Sequence, residues 1–268
     1  MPIHLQSISS KDDDSELFAA LLRGALDHSD AAVVSEDKYY LQMAQFLYDT
    51  ITGERIGKLV STMFRNEAEK SLRILDIDIM LDSDYTCEMT FLEKFPPSSD
   101  ANEYYEIMTV PEQQHLLIET VNRYFIKGEI TDTTQAVRAC AFPFRISLYD
   151  SIDQLNEAYG IKKIKNKALV DLGFETMGFS ETFTSTASMV KDSENEVYSF
   201  LIGKIKSFRD VEIRFDRHSI PFVIAQIDTA LGLLPTAMGR DVFDLTKLAP
   251  GTIIAMYADI KVDFAVDQ

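Results

Sequence analysis

The spacing of hydrophobic positions changes several times along the chain. Behind the acidic run Asp12-Asp13-Asp14, residues Leu17, Phe18, Leu21, Leu22, Ala25 and Leu26 fall three or four apart. Acidic groups at the positive end of a helix dipole, followed by a helical apolar period, predict a helix over about 13–27. Tyr40, Met43, Leu47 and Ile51 repeat that spacing after Ser35-Glu36-Asp37, so a second helix is expected to run to the stop at Thr52-Gly53. Residues 54–70 fit either state, with helix preferred.

The period then becomes two. Leu75, Ile77, Ile79 and Leu81 alternate with Ile74, Asp76, Asp78 and Met80, and Tyr85, Cys87, Met89 and Phe91 alternate with Thr86, Glu88 and Thr90. With the polar turn Asp82-Ser83-Asp84 between them, the two runs predict a β-hairpin. Pro96-Pro97-Ser98-Ser99-Asp100 reads as a loop. Pro111 opens a predicted helix that carries Leu116, Leu117, Val121, Tyr124 and Phe125, with Gly128 ending it. Residues 136–149 read as a strand pair or a bulged strand, because Pro143 interrupts the ladder. Residues 151–159 read as a short helix capped by Gly160. Lys162, Lys163, Lys165 and Lys167 crowd a stretch that reads as a linker, and short strands and turns dominate from Ala168 onward. No internal repeat is visible.

Residues 197–264 hold an order that resembles the OB-fold. Val197 to Lys206 is a strand with Gly203 inside it, where a glycine permits the bend a small barrel needs. Pro221 to Asp228, Gly232 to Gly239 and Thr252 to Val262 are further strands, with a short helical turn at 241–247 and the turn Leu248-Ala249-Pro250-Gly251 before the last. The resemblance implies a barrel that binds oligonucleotides, oligosaccharides or proteins. It covers about a quarter of the chain and lacks a fifth strand, which the end of the last strand or residues 172–184 would supply. Another small barrel or sandwich fits the order nearly as well. The expected fold is therefore α+β. Residues 1–165 would pack helices on a mostly antiparallel sheet, and 166–268 would form a β-rich domain, OB-like from about 197.

Charge narrows the functions. The 268 residues hold 26 Lys and Arg against 43 Asp and Glu, a net charge of −17. Such a chain repels polyanions on average, which excludes general nucleic-acid coating. Residues 191–268 contribute 9 − 12 = −3, so the acidity lies mainly before them. The near-balanced end carries Phe208, Arg209, Arg214, Phe215, Arg217 and His218, a mixture of cations and aromatics suited to a single strand of nucleic acid. A solvated loop beside core phenylalanines accounts for the same residues. Asp76 and Asp78 share one strand face and are candidates for a divalent metal, against the plainer reading of a wet strand face.

Catalytic signatures are missing. His4, His28, His115 and His218 have no metal-ligand spacing, and no nucleophile elbow, phosphate loop or dinucleotide fingerprint occurs. Cys87 and Cys140 read as buried thiols rather than a bridge. The N-terminus has no basic segment followed by an apolar core, and no apolar run is long enough to span a bilayer. The expectation is a cytoplasmic, non-enzymatic binding or adaptor protein with no cofactor and no membrane association, whose ligand is a protein. Single-stranded nucleic-acid binding and a metal-dependent enzyme using Asp76 and Asp78 are the alternatives.

Overall fold

The computed structural model describes residues 3–9, 32–36, 40–66, 68, 70–95, 103–110, 113–121, 129–159, 162–165, 167–179, 186–191, 197–215 and 218–264. These residues are 67% strand. Their three helices are short: α1 (Ile3–Ile8), α2 (Ile152–Tyr159) and α3 (Lys167–Asp171). The expectation of helices packed on an N-terminal sheet is thus overturned.

The N-terminal strands β1 (Ala32–Glu36), β2 (Tyr40–Tyr48), β3 (Arg55–Asn66) and β4 (Ser71–Leu81) form a four-stranded antiparallel sheet in chain order. Where helix was expected at 40–51 and 54–70, the chain is β2, a turn and β3. The reason lies in burial on both faces of β2. Leu41 and Leu47 share one face with Met43, while Gln42 and Ala44 are buried on the other. A strand covered on both sides loses strict alternation, and its apolar positions then mimic a helical period. The helix expected over 13–27 lies outside the described residues.

The tight turn between β2 and β3 is held by Asp49. Its carboxylate accepts hydrogen bonds from the amides of Ile51, Thr52 and Glu212 at 3.2, 3.3 and 2.9 Å and from the Thr52 hydroxyl at 2.7 Å. Burial alone would raise the pKa of this group. The Thr52 hydroxyl and the three amides outweigh burial and hold it below the usual carboxylate range.

The larger sheet contains β5 (Cys87–Phe95), β6 (Glu103–Thr109), β7 (His115–Thr120), β8 (Thr133–Tyr149), β11 (Thr186–Lys191), β12 (Val197–Phe215), β13 (His218–Thr229), β14 (Gly232–Gly239) and β15 (Ile253–Phe264). A separate two-stranded ribbon joins β9 (Lys162–Lys163) to β10 (Thr176–Met177). The strand expected from alternation at 73–81 is β4, and that at 85–91 is β5, but they do not form a hairpin. β4 pairs with β3, whereas β5 crosses into the other sheet to pair with β6 and β8. The helix expected after Pro111 is also absent over 115–120. There the chain turns at Gln113, with φ of 54°, and runs back as β7. Leu116, Ile118 and Thr120 point inward at period two.

Pairing closes the larger sheet on itself twice. One ring runs β12–β13–β14–β8–β15 and back to β12. The other runs β5–β6–β7–β15–β8 and back to β5. The rings correspond strand for strand, β5 to β12, β6 to β13, β7 to β14 and β8 to β15. In each ring one contact is parallel: β14 with β8 at Thr236–Ala141, and β7 with β15 at Glu119–Lys261 and Thr120–Val262. β8 and β15 belong to both rings. The larger sheet therefore draws on strands from both sides of residue 165.

Alternate residues fill the interiors as one continuous core. Met89, Phe91, Tyr105 and Ile107 line one ring, and Leu201, Ile205, Val223 and Ala225 line the other. Outward residues of β8, β12 and β13, including Phe142, Val211 and Phe222, pack instead against Leu59, Ile77 and Ile79 of the four-stranded sheet. At Pro143 the register of β8 slips by one residue, so this segment is the bulged strand the proline predicts. The slip moves the inward set from Val137, Ala139 and Ala141 to Ile146 and Leu148.

Gly203 sits where β12 turns between β13 and β15. A Cβ at this position would strike the backbone oxygen of Asp228 and the Ile227 side chain. The Gly203→Val variant is expected to lose ~2 kcal/mol or more of stability by overpacking. Urea unfolding monitored by circular dichroism measures this, and an unchanged midpoint contradicts the tight crossing.

Candidate functional site

The most concentrated chemistry among the described residues lies where the four-stranded sheet meets β15. One face of β15 carries Tyr257, Asp259, Lys261 and Asp263, opposite the residues that fill the rings. Lys261 is 1% exposed. Its ammonium donates to Asp78 of β4 and, at 2.7 Å, to Oε2 of Glu119 on β7. Next to it, Lys58 of β3 pairs with Asp263. Cations and carboxylates from four strands thus interlock across the junction of the two sheets.

The expected pairing of Asp76 and Asp78 on one face is present, and Glu119 joins them. One carboxylate oxygen from each of the three lies within 4.8 Å of the others. Asp76 is half-buried and accepts the Ile77 amide at 2.8 Å. Such a set has the donor chemistry of a hard divalent ion, but Lys261 already places a cation against two of its three members. Burial pushes the Glu119 carboxyl up to about 7; Lys261 opposes that shift, and Asp78 and Asp259 add to it. Burial likewise raises Asp259. Lys261 is held well above its usual range, because Asp78, Glu119 and Asp259 outweigh the cost of burying its charge. The arrangement is a compensated ionic bolt between sheets.

The described cation and aromatic residues expected to face nucleic acid lie along the β12–β13 hairpin, and two of the cations pair with carboxylates. Arg209 pairs with Glu54, and Nη2 of Arg214 lies 3.7 Å from Oε1 of Glu212. Arg240 pairs with Asp210 at 2.6 Å beside them. Phe208 is partly exposed on the face of β12 opposite Arg209. Phe215 and His218 pair at the end of the β12–β13 hairpin, and Arg217 lies outside the described residues. His115 opens β7, not a helix, and its Nδ1 meets Oε1 of Glu106 at 2.6 Å. Both cysteines are free thiols, as the sequence predicts. Burial pushes Cys87 up to about 11 and Cys140 up to about 12, which keeps both protonated and unreactive near neutrality.

A groove of about 580 Å³ separates residues 144–148 of β8 from the turn at 242–247. Phe144, Ile146, Leu148 and Phe243 line it together with Arg145 and Lys247. It is open where the β14–β8 contact, a single residue pair, ends.

The remaining feature is an arm that the linker reading misses. β9 and β10 form its stem, and α3 its tip. Every residue from 167 to 178 is exposed. Leu172 is 72% exposed, Met177 65% and Phe174 57%, with Leu169 and Val170 beside them. Its tip is nevertheless built. The Gly173 amide donates to the Val170 carbonyl at 2.9 Å and the Phe174 amide to the Leu169 carbonyl at 3.0 Å, with Gly173 at φ 89°. This is a Schellman C-cap, which only a left-handed residue can close. The arm is clamped at its base by Asn156 of α2. Its side chain accepts the Phe179 amide at 2.7 Å and donates to the Phe179 carbonyl at 2.9 Å. One sequence signal points to this element: five large apolar residues with neither a strand nor a helix period, beside a run of lysines.

No protein-family model matches the chain, and no match is found among the curated proteins or the solved structures. No helix among the described residues is long and apolar enough to cross a membrane. The protein is defined by its architecture, a mostly β chain whose larger sheet closes into two rings sharing two strands.

The bolt sets a pH dependence. With Glu119 raised to about 7, the folded state binds more protons than the unfolded state between the usual carboxylate value and 7. The Glu119 contribution to stability is therefore full at low pH and falls as pH rises through that window. Glu119→Gln is expected to remove this fall, so that the variant gains on the wild type between pH 5 and pH 8 in urea titrations. Lys261→Met removes the cation shared by two buried carboxylates and is expected to cost ~3–5 kcal/mol at pH 8. A loss below ~1 kcal/mol in the same measurement removes the bolt from the account.

Proposed function

We propose that the protein is a non-enzymatic binding protein that docks other protein surfaces through the arm at 162–177. The observation that carries this reading is a structured tip whose large apolar side chains face solvent. A folded chain gains nothing from holding such residues in water, and contiguous exposed apolar groups mark contact sites. The Schellman cap and the Asn156 clamp fix the tip in advance, which lowers the ordering cost of binding. Leu172, Phe174 and Met177 have the character of apolar anchors that fill a partner's pocket. The matched ion pairs around Arg209 and Arg214, with the overall acidity, support a protein ligand over nucleic acid.

The ring β12–β13–β14–β8–β15 supports an OB-like reading of the C-terminal half. It has five strands and is partly open, as such barrels are. In this reading the missing fifth strand is β8, supplied from upstream in the chain. The free thiols fit a reducing compartment such as the cytoplasm.

Replacing Phe174 with a photoreactive amino acid tests the docking reading. Cross-linked protein adducts are expected in the cells that make the protein, and are not expected from the same group at exposed Leu72 of β4. Absence of adducts from position 174 overturns the reading. The pair Leu172→Ser and Phe174→Ser is expected to change stability by less than ~0.5 kcal/mol each, because both are exposed. Thermal unfolding checks this.

A further inference from the structure

The edge of β8 that faces away from β15 changes partner along its length. It carries β5 as far as Val137 and β14 at Ala141. From 144 to 148 no described residue pairs with it, while the other edge continues along β15 from Arg145–Tyr257 to Leu148–Ile254. In an antiparallel pair every second residue turns its N–H and C=O away from the partner strand. The open edge therefore offers a short row of backbone donors and acceptors, which is a template for one more strand. The groove of about 580 Å³ lies along this row, with the turn at 242–247 as its far wall. Five residues of extended chain, spanning ~16 Å, match the open length.

The side chains around the groove are also short of partners. Ile146 and Leu148 point to the ring interior and Phe243 packs on the same core from the far wall, yet all three are only half-buried. Arg145 points to the other side of the strand, with its guanidinium 5.8 Å from the ring centre of Tyr257. The other charges of the groove are met within the chain. Lys247 lies 3.2 Å from Asp150, and Asp244 accepts the Thr246 amide and hydroxyl at 3.1 and 2.7 Å. Arg145 is exposed and meets no carboxylate among the described residues.

We propose that this groove binds an extended peptide segment of another protein, which adds to β8 as a strand and fills the gap in the ring. Backbone pairing gives the register and the side chains give the choice of sequence. One set of the added side chains falls beside Ile146 and Leu148 and against Phe243, which calls for apolar residues. The alternate set falls beside Arg145, which calls for Asp or Glu. The segment recognised is one that alternates apolar residues with carboxylates. The groove receives a strand, whereas the arm presents side chains, so this site stands apart from the arm.

Panning a phage library of random octapeptides against the full chain tests this. Selected sequences are expected to alternate apolar residues with Asp or Glu. A synthetic copy of one is expected to slow amide hydrogen exchange within 144–148 at least tenfold. Methylating one set of its alternate amides is expected to weaken binding at least tenfold, and methylating the other set to change it little. Arg145→Glu, checked for an unchanged unfolding midpoint, is expected to weaken the acidic peptide at least tenfold and to turn selection toward Lys and Arg. The Leu172→Ser/Phe174→Ser variant, which alters only the arm, is expected to bind the peptide as the wild type does. No enrichment, enrichment without alternation, or binding that survives Arg145→Glu or either set of methyl groups overturns the proposal. Loss of binding in the arm variant assigns the peptides to the arm and overturns the groove while keeping the docking reading.

Discussion

The structure depends on the ladder between β8 and β15. Their antiparallel register runs from Ile253–Tyr149 to Phe264–Val137, and each strand also closes both rings. β15 is bordered by β12 along its first half and by β7 near its end; β8 is bordered by β5 at its start and by β14 at one point. A strand paired on both edges has its backbone satisfied within the sheet. The ring-facing set of β15, Ile254, Met256, Ala258, Ile260, Val262 and Phe264, is correspondingly all apolar. Since both rings close through this pair, a defect in it would open two barrels at once.

The second face of β15 explains the ionic bolt. Lys261 and Asp263 lie on it and are buried once the four-stranded sheet covers the rings. A lone buried charge there would cost several kcal/mol, so its partners have to come from the covering layer. Asp78 comes from β4 and Lys58 from β3, and Glu119 arrives on β7 through the parallel contact that closes one ring. A well-packed apolar set would hold two sheets together at least as firmly. What the charges add is register. Lys58 has to face Asp263 while Lys261 faces Asp78, and a slip of β4 by one residue would turn Asp78 away.

Local chemistry was legible in the sequence and long-range pairing was not. The strand at 73–81, the break at Pro143, the short helix at 152–159, the tight place at Gly203 and the reduced thiols all follow from neighbours in the chain. The helix readings at 40–51 and, within 111–128, over the described strand at 115–120 failed because a strand buried on both faces, or entering a barrel, spaces its apolar residues much as a helix does. The hairpin at 73–91 failed for another reason. Alternation states that two segments are strands and that a turn separates them, but the choice of partner is made by the core each one fills. Ile77 and Ile79 belong to the layer beneath the rings, and Met89 and Phe91 to a ring interior. The correspondence between β5–β8 and β12–β15 is invisible in the residues because barrel interiors ask only for apolar volume at alternate positions, which unrelated sequences supply equally well. Asp76 and Asp78 were readable as a pair on one face. Lys261, which decides what that pair does, lies far along the chain, and only the folded sheets bring it there.

The arm follows from the same physics. Each large apolar side chain left in water forgoes ~1–3 kcal/mol of burial. The rings have no room to take these residues back, since their interiors are already filled by side chains such as Phe91, Tyr105 and Met256, all essentially inaccessible. A chain under no other constraint would place polar residues at 169–177 and lose nothing in folding. Instead it spends a left-handed glycine, a Schellman cap and the paired hydrogen bonds of Asn156 on holding apolar residues outward in one geometry. That order is of no use to a linker, which needs only reach. It fits the docking reading we propose, in which the burial forgone in folding is recovered on another molecule.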